Sequence, residues 1–169
     1  MSKRFMLTAA GTASVAVAGI ASAELIDFTV VNDRYIGEAT WQIINSSGST
    51  VASMYISGSS VFLPDGATFT PLAGYSSSPS FVTSYLTEFS LDLAPGEYTV
   101  AMQDSWGDGW SYWFPTGGMT VSGALASGSS VSFAFSSGSS AGGTFTVVPA
   151  PGALALLGLA GVAGRRRRS

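Results

Sequence analysis

Short runs of β-branched and aromatic residues, separated by Gly, Ser, Asp or Pro, fill the chain from residue 24 to residue 148. No part of this stretch shows a sustained apolar period of 3.6 residues, which an amphipathic helix needs. Apolar and polar residues alternate most clearly in Phe89–Leu93 and in Val131–Phe135. The candidate strands are Leu25–Val31, Thr40–Ile44, Val51–Ile56, Thr68–Pro71, Tyr85–Leu93, Glu97–Gln103, Gly118–Val121, Val131–Phe135 and Thr144–Val148.

These runs predict an all-β fold, an antiparallel β-sandwich or jelly-roll-like single domain. A parallel α/β fold needs crossover helices, and this stretch contains no candidate for one. The chain has no cysteine, so no disulfide supports the fold and its stability depends on the hydrophobic core. We assign residues 24–135 to the domain, and residues 136–147 either to a Ser/Gly-rich linker or to a last strand.

The first 23 residues have the layout of a secretory signal peptide. Lys3 and Arg4 form a short positive region, and a mostly apolar region follows it. Ala21 and Ala23 then supply the small-x-small pattern that a signal peptidase accepts. We expect a signal helix that is cleaved after Ala23, which makes Glu24 the first residue of the exported protein.

Residues 148–169 form a second targeting segment in three parts. Pro149 and Pro151 come first, and residues 152–164 contain only Gly, Ala, Leu and Val. This apolar part is shorter than the roughly 20 residues with which a helix spans a bilayer, and the basic end would stay on the cytoplasmic side. The pattern predicts a short hydrophobic helix that stops in the membrane transiently; the alternative is a permanent single-span transmembrane anchor. The basic end consists of Arg165, Arg166, Arg167 and Arg168.

The three parts together resemble the PEP-CTERM sorting signal of exported bacterial proteins, with Pro149-Ala150-Pro151 in place of the usual Pro-Glu-Pro. The resemblance covers residues 148–169. It implies that an exosortase-type membrane peptidase recognises and removes the tail. The protein would then be exported to the cell surface or the extracellular space, after a transient association with the inner membrane.

The charge of the chain is divided between its ends and its middle. All ten acidic residues lie between Glu24 and Asp108, where Arg34 is the only basic residue, so this stretch carries one positive and ten negative charges, a formal −9. Such a domain repels nucleic acid, because phosphate binding depends on clustered Lys and Arg. The absence of His and Cys removes Cys/His zinc sites, catalytic thiols and Ser-His-Asp triads. We therefore expect a protein that is not an enzyme; a small two-carboxylate glycoside hydrolase is the remaining catalytic alternative.

The densest motif is Asp104-Ser105-Trp106-Gly107-Asp108-Gly109-Trp110, directly after the candidate strand Glu97–Gln103. Two Asp with interleaved Gly can form a tight loop in which carboxylates converge on a hard cation. An EF-hand is excluded, because Trp106 occupies its third ligand position and Pro115 stands in place of its bidentate Glu.

Asp104 and Asp108 are therefore candidate calcium ligands. The further oxygens that calcium needs would come from backbone carbonyls or from Asp33, Glu38 or Glu97. The alternative is an Asx-type turn, in which both Asp accept backbone N–H groups and the neighbouring Trp residues belong to the core.

Aromatic residues are concentrated in and after this loop. Exposed aromatic faces stack on sugar rings through apolar and C–H contacts, which predicts a carbohydrate-binding surface. The alternative is that the rings cap the core. The residues concerned are Trp106, Trp110, Tyr112 and Trp113.

The middle of the chain also resembles a secreted module found in many extracellular proteins. The resemblance depends on Glu38-Ala-Thr-Trp41, on the Gly-x-Tyr strand at Gly96–Val100, and on Asp104-Ser105-x-Gly107-Asp108-Gly109. The cysteines that commonly flank the Gly-x-Tyr strand in that module are absent here. The resemblance implies a β module in an extracellular setting, and no activity is transferred with it.

The sequence as a whole predicts an exported, non-catalytic bacterial surface or extracellular-matrix protein. A secreted carbohydrate- or calcium-binding module is the alternative. The expected partners are signal peptidase, an exosortase-type peptidase and extracellular polysaccharide, with no nucleic acid among them. Calcium is the one cofactor that the motifs suggest.

Mass spectrometry of the exported protein tests both processing sites. We expect a mature chain that begins at Glu24 and lacks the basic end at residues 165–168. A mature chain that still ends at Ser169 would contradict removal of the tail and would favour the permanent transmembrane anchor.

Overall fold

The computed structural model describes residues 23–73, 81–111 and 117–149, and the expected signal helix and hydrophobic helix lie outside these ranges. The described residues form ten β-strands and one short 3-10 helix, Ile36–Glu38. The strands are β1 Glu24–Asp33, β2 Ala39–Asn45, β3 Thr50–Ser57, β4 Ser60–Phe62, β5 Thr68–Ala73, β6 Val82–Leu93, β7 Gly96–Asp104, β8 Gly118–Leu125, β9 Gly128–Ala134 and β10 Ser140–Val147.

The described strands pair in antiparallel fashion throughout, which confirms the all-β fold class. Their order is β4-β3-β2-β7-β10-β8-β1-β6-β5, with β9 paired to β8 beside this path. A single residue pair, Val147 with Leu125, joins β10 to β8. The expected sandwich is therefore one curled sheet, whose two halves meet at this narrow junction.

Aromatic rings join the two halves through the core. The ring of Phe89 on β6 stacks on Phe28 of β1 at 4.8 Å and on Trp41 of β2 at 5.2 Å. Phe145 of β10 meets Phe28 edge-on at 6.0 Å and stacks on Tyr98 of β7 at 5.4 Å. Offset and edge-on ring pairs add to the stabilisation that burial of their area gives.

Strand alternation decides which residues enter this core. On β7, Tyr98, Val100 and Met102 are buried, whereas the residues between them are more exposed. The period of two continues to the last residue of the strand, so Asp104 is also turned inwards and is only 3% exposed. The strand that builds the core thus ends on a buried carboxylate.

The Ser/Gly-rich stretch contributes the last strand from Ser140 onwards. β10 pairs with β7 from Ser140 opposite Gln103 to Val147 opposite Gly96. A Cβ at Gly143 would lie 2.6 Å from the ring of Phe133, so glycine there lets that ring of β9 lie close over β10. The short strand β4 is the one described strand that the sequence pattern did not predict.

The two ends of the described domain lie at the same end of the sheet. Glu24 pairs with Leu93 and Val147 pairs with Gly96, on either side of the turn between β6 and β7. The opposite ends of these strands carry Asp33 and Asp104.

Replacing Phe89 by Ala tests the role of the ring stack. We expect the free energy of unfolding to fall by about 3–5 kcal/mol, because a large buried side chain is lost and a cavity remains. Phe62→Ala is the control: Phe62 is 43% exposed and stacks on Tyr55 at 4.9 Å outside the core, so its loss should amount to less than about 1 kcal/mol. Urea unfolding followed by tryptophan fluorescence measures both, and equal losses would contradict the assignment of Phe89 to the core.

Candidate functional site

The site lies at the end of the sheet where β1 and β7 end and β2 begins. The short 3-10 helix ends at Glu38, and the next residue, Ala39, pairs with Asp104. The backbone N–H of Ser105 donates to the carbonyl of Glu38 at 3.0 Å. Strand register and this hydrogen bond together bring Glu38 beside the loop that follows β7.

Three carboxylates converge there. Carboxylate oxygens of Glu38, Asp104 and Asp108 all lie within 4.8 Å of one another. Asp104 is buried, Glu38 is half-buried and Asp108 is exposed. The cluster therefore reaches from the end of the core out to solvent.

Asp104 also organises its own loop. Its Oδ1 accepts hydrogen bonds from the backbone N–H of Trp106 at 2.8 Å and of Gly107 at 2.6 Å. This is the Asx-type turn that the sequence offered as the alternative to cation binding. For Asp104 the two are compatible, because both bonds use one oxygen and Oδ2 accepts none from the described residues.

The two glycines of the loop have conformations that other residues avoid. Gly107 and Gly109 have φ values of 85° and 81°, in the left-handed region that favours glycine. A Cβ at Gly109 would also lie 2.5 Å from the backbone nitrogen of Ser137. These glycines allow the chain to turn sharply enough to return Asp108 towards Asp104.

Mutual repulsion and burial perturb the acidic groups at this end. Burial is the largest cause that raises the pKa of Asp33, and repulsion from Asp104 and Asp108 adds to it, against a backbone hydrogen bond from Tyr35 that lowers it. Burial likewise raises the pKa of Glu38, with repulsion from Asp104, Asp108 and Asp33 in support. Four carboxylates therefore interact here.

Among the described residues, positive charge compensates this cluster only in small part. Arg34 is the one basic residue in the described ranges, and its guanidinium lies 4.5 Å from the ring centre of Phe81 and 5.3 Å from that of Tyr35. Its attraction is the smallest of the influences on the pKa of Asp33.

Among the acidic residues expected from sequence, the structure brings Asp104 and Asp108 together and adds Glu38. Asp33 lies close enough for its pKa to respond to them. Glu97 does not take part, because it stands next to the first residue of β7, at the opposite end of that strand.

The aromatic residues of the loop separate into different environments. Trp110 is fully buried, with its ring 5.0 Å from that of Phe135, so the prediction that it offers a face to a sugar is wrong. The turn at Gly107 and Gly109 brings it inwards, where its backbone N–H donates to the carbonyl of Phe135 at 2.8 Å. Trp106 is 79% exposed. Tyr112 and Trp113 lie outside the described residues.

Sequence reasoning missed one aromatic and one polar residue at this end. Tyr35 is 44% exposed and, with Glu38, Trp106 and Asp108, lines a cleft of about 200 Å³. Asn32 is fully buried, and neither polar atom of its side chain has a hydrogen-bond partner. The sequence could have identified Asn32, because it continues the alternation in which Phe28 and Val30 are buried on β1 and places an amide at the next inward position.

The processing residues are only partly described. Glu24 is the first residue of β1, and Pro149 lies two residues beyond the end of β10. Ala21, Pro151 and the four arginines lie outside the described residues. In the described part of the chain, no helix has the length and apolar character that crossing a membrane requires.

Comparison of the chain with protein families, with curated proteins and with solved structures found no match.

The raised pKa values predict how stability depends on pH. The folded protein holds the protons of Asp33 and Glu38 more tightly than the unfolded chain, so their ionised forms destabilise the fold at neutral pH. In EDTA, we expect the contribution of these groups to raise the melting temperature as the pH falls from 7 towards the ordinary value of 4.5 for Glu.

Glu38→Gln should raise the melting temperature at pH 7 and flatten the profile, whereas Glu97→Gln at the far end of β7 should leave the profile unchanged. Differential scanning calorimetry measures all three proteins. Identical profiles for wild type and Glu38→Gln would contradict repulsion at this end.

Proposed function

We propose that this chain is an exported, non-catalytic surface or extracellular-matrix protein whose β domain binds a divalent cation, calcium in the first place, at Glu38, Asp104 and Asp108. The observation that carries the proposal is the convergence of these three carboxylates within 4.8 Å.

The burial of Asp104 is compensated in part by the two backbone N–H groups that donate to its Oδ1. A buried charge is ordinarily paired or bound to a metal, since its transfer from water is otherwise very unfavourable. Asp104 is 3% exposed, its Oδ2 accepts no hydrogen bond from the described residues, and two further carboxylates approach it. A cation between these oxygens would replace mutual repulsion by attraction.

Asn32 is a further polar side chain that is buried towards this end of β1, one residue before Asp33. Both of its amide atoms lack hydrogen-bond partners, and the hydroxyls of Ser84 and Thr87 on the paired strand β6 share this property, although buried polar groups ordinarily have a partner. Strands β1 and β6 thus keep several buried polar groups near Asp33.

Calcium fits this donor set better than zinc or magnesium. Hard oxygen ligands suit calcium, which takes six to eight of them in flexible geometry. Zinc sites ordinarily include His or Cys, and the chain has neither. Magnesium requires near-ideal octahedral geometry at about 2.0–2.1 Å, which is a stricter demand on the carboxylates of a loop than the longer and more flexible coordination of calcium.

The export part of the proposal depends on the two ends of the sequence, and the strand bounds are consistent with it. Cleavage after Ala23 leaves β1 whole, because that strand begins at Glu24. Removal of the tail beyond Pro149 leaves β10 whole, because that strand ends at Val147. An exosortase-type peptidase and signal peptidase would then be the processing partners.

The spacing of the carboxylates is compatible with one shared cation. Ligand oxygens lie roughly 2.3–2.6 Å from calcium, so two oxygens on opposite sides of one ion are about 5 Å apart. One oxygen from each of the three groups lies within 4.8 Å of the others. Three carboxylates with this spacing can therefore share one ion.

Calcium titration of the purified full chain, in mild detergent, tests the proposal. We expect heat of binding and a rise of several degrees in melting temperature at millimolar calcium, because a ligand that binds only the folded state stabilises it. Magnesium at the same concentration should give a smaller rise. Absence of both heat and stabilisation at millimolar calcium would overturn cation binding.

Asp108→Asn is the sharpest variant. Asp108 is exposed and accepts no hydrogen bond from the described residues, so the variant should fold and lose most of the calcium effect. Glu97→Gln also removes one carboxylate but lies away from the cluster, and it should keep the full effect. Equal responses of these two variants would show that general charge screening, rather than a site, stabilises the protein.

A further inference from the structure

We infer that the bound cation presents an open face to a saccharide, with sugar hydroxyls completing its coordination and the ring of Trp106 stacking on the sugar. This inference rests on the cation site proposed above and names the ligand class of that same site. The observation beyond the acidic cluster is the position of Trp106, which lines the same cleft as Glu38 and Asp108.

Trp106 is the most exposed of the large apolar side chains among the described residues, at 79%, whereas Trp41 and Trp110 are buried in the core. Its backbone is held in place, since its N–H donates to Oδ1 of Asp104 at 2.8 Å. The carboxylate that anchors the cluster therefore also fixes the residue that exposes the indole. An exposed indole offers apolar area that a ligand can cover with a gain in free energy.

The cleft beside Trp106 combines the two kinds of contact that a sugar needs. Trp106 and Tyr35 supply rings, and Glu38 and Asp108 supply carboxylates, around a volume of about 200 Å³. Because calcium takes six to eight oxygens, three carboxylates leave positions that neutral oxygens from solvent or a ligand can fill. Adjacent hydroxyl groups on a sugar ring are such oxygens, and the C–H face of the same ring suits an indole.

Charge favours a saccharide over the other polymers of a cell surface. The domain carries a formal −9, which disfavours phosphate-rich ligands such as nucleic acid or anionic lipid. An apolar peptide or lipid tail would leave the carboxylates beside it without water. A neutral saccharide meets the ring and the cation at once and brings no repelling charge.

Binding of the full chain to an array of glucose-, galactose-, mannose- and fucose-terminated oligosaccharides tests the inference, in calcium and again in EDTA. We expect retention on at least one sugar class in calcium and its loss in EDTA. Trp106→Ala should reduce retention about tenfold, because the stacking contact is lost, and should leave the calcium-dependent rise in melting temperature intact. Tyr55→Ala, which removes an exposed ring that stacks on Phe62 elsewhere on the surface, is the matched control and should retain wild-type binding.

The outcomes separate the two proposals. Calcium stabilisation without retention on any sugar overturns the saccharide inference and leaves the cation site standing. Retention that persists in EDTA overturns the role of the cation in sugar binding. Equal retention by wild type and Trp106→Ala overturns the stacking role of that ring, and retention lost equally in Tyr55→Ala assigns the effect to general surface adhesion and overturns the inference.

Discussion

Stacking of Phe89 between Phe28 and Trp41, together with the edge-on contact of Phe145 with Phe28, joins the two halves of the sheet through the core. No disulfide assists it, since the chain has no cysteine. The register that places Trp41 in the stack also positions the carboxylate cluster. Trp41 pairs with Met102, and Ala39, two residues before Trp41, pairs with Asp104. The core and the carboxylate cluster are therefore fixed by the same two strands, and neither can shift without the other.

The acidic cluster that would bind the proposed cation also lowers the stability of the fold. Burial, supported by repulsion from the neighbouring carboxylates, raises the pKa of Asp33 and of Glu38. Domains of this size are only marginally stable. Repulsion within the acidic cluster is therefore a substantial loss of stability for a domain that has no disulfide. Perturbed acidic groups are found preferentially at functional sites, and the proposed cation site lies among them.

Much of the fold was predictable from the sequence because strands are short, local and marked by their period. The runs around Phe89 and Val131, for example, alternate in the sequence as they do in the sheet. Strand β4 was not predictable, because three residues are too few to show a period. The path of the sheet was not predictable either, since pairs such as Glu24 with Leu93 depend on contacts between residues distant in sequence.

The candidate site, too, was predictable from the sequence only in part. Asp104 and Asp108 stand out in one loop, and their glycine spacing marks a sharp turn. That Glu38 joins them, and that Glu97 does not, follows from which end of β7 meets the start of β2. The different fates of Trp106 and Trp110 depend on a loop conformation set by two positive-φ glycines, which composition alone does not reveal.

Both ends of the domain leave the sheet beside the turn between β6 and β7, whereas the carboxylates and Trp106 lie where β7 ends. The nine residues of β7 make eight steps, which separate these two ends by about 27 Å at the rise of an extended strand. A surface attached to the domain through either terminus would therefore meet the end of the sheet opposite the carboxylates. The length of β7 would then separate the acidic cleft from the point of attachment.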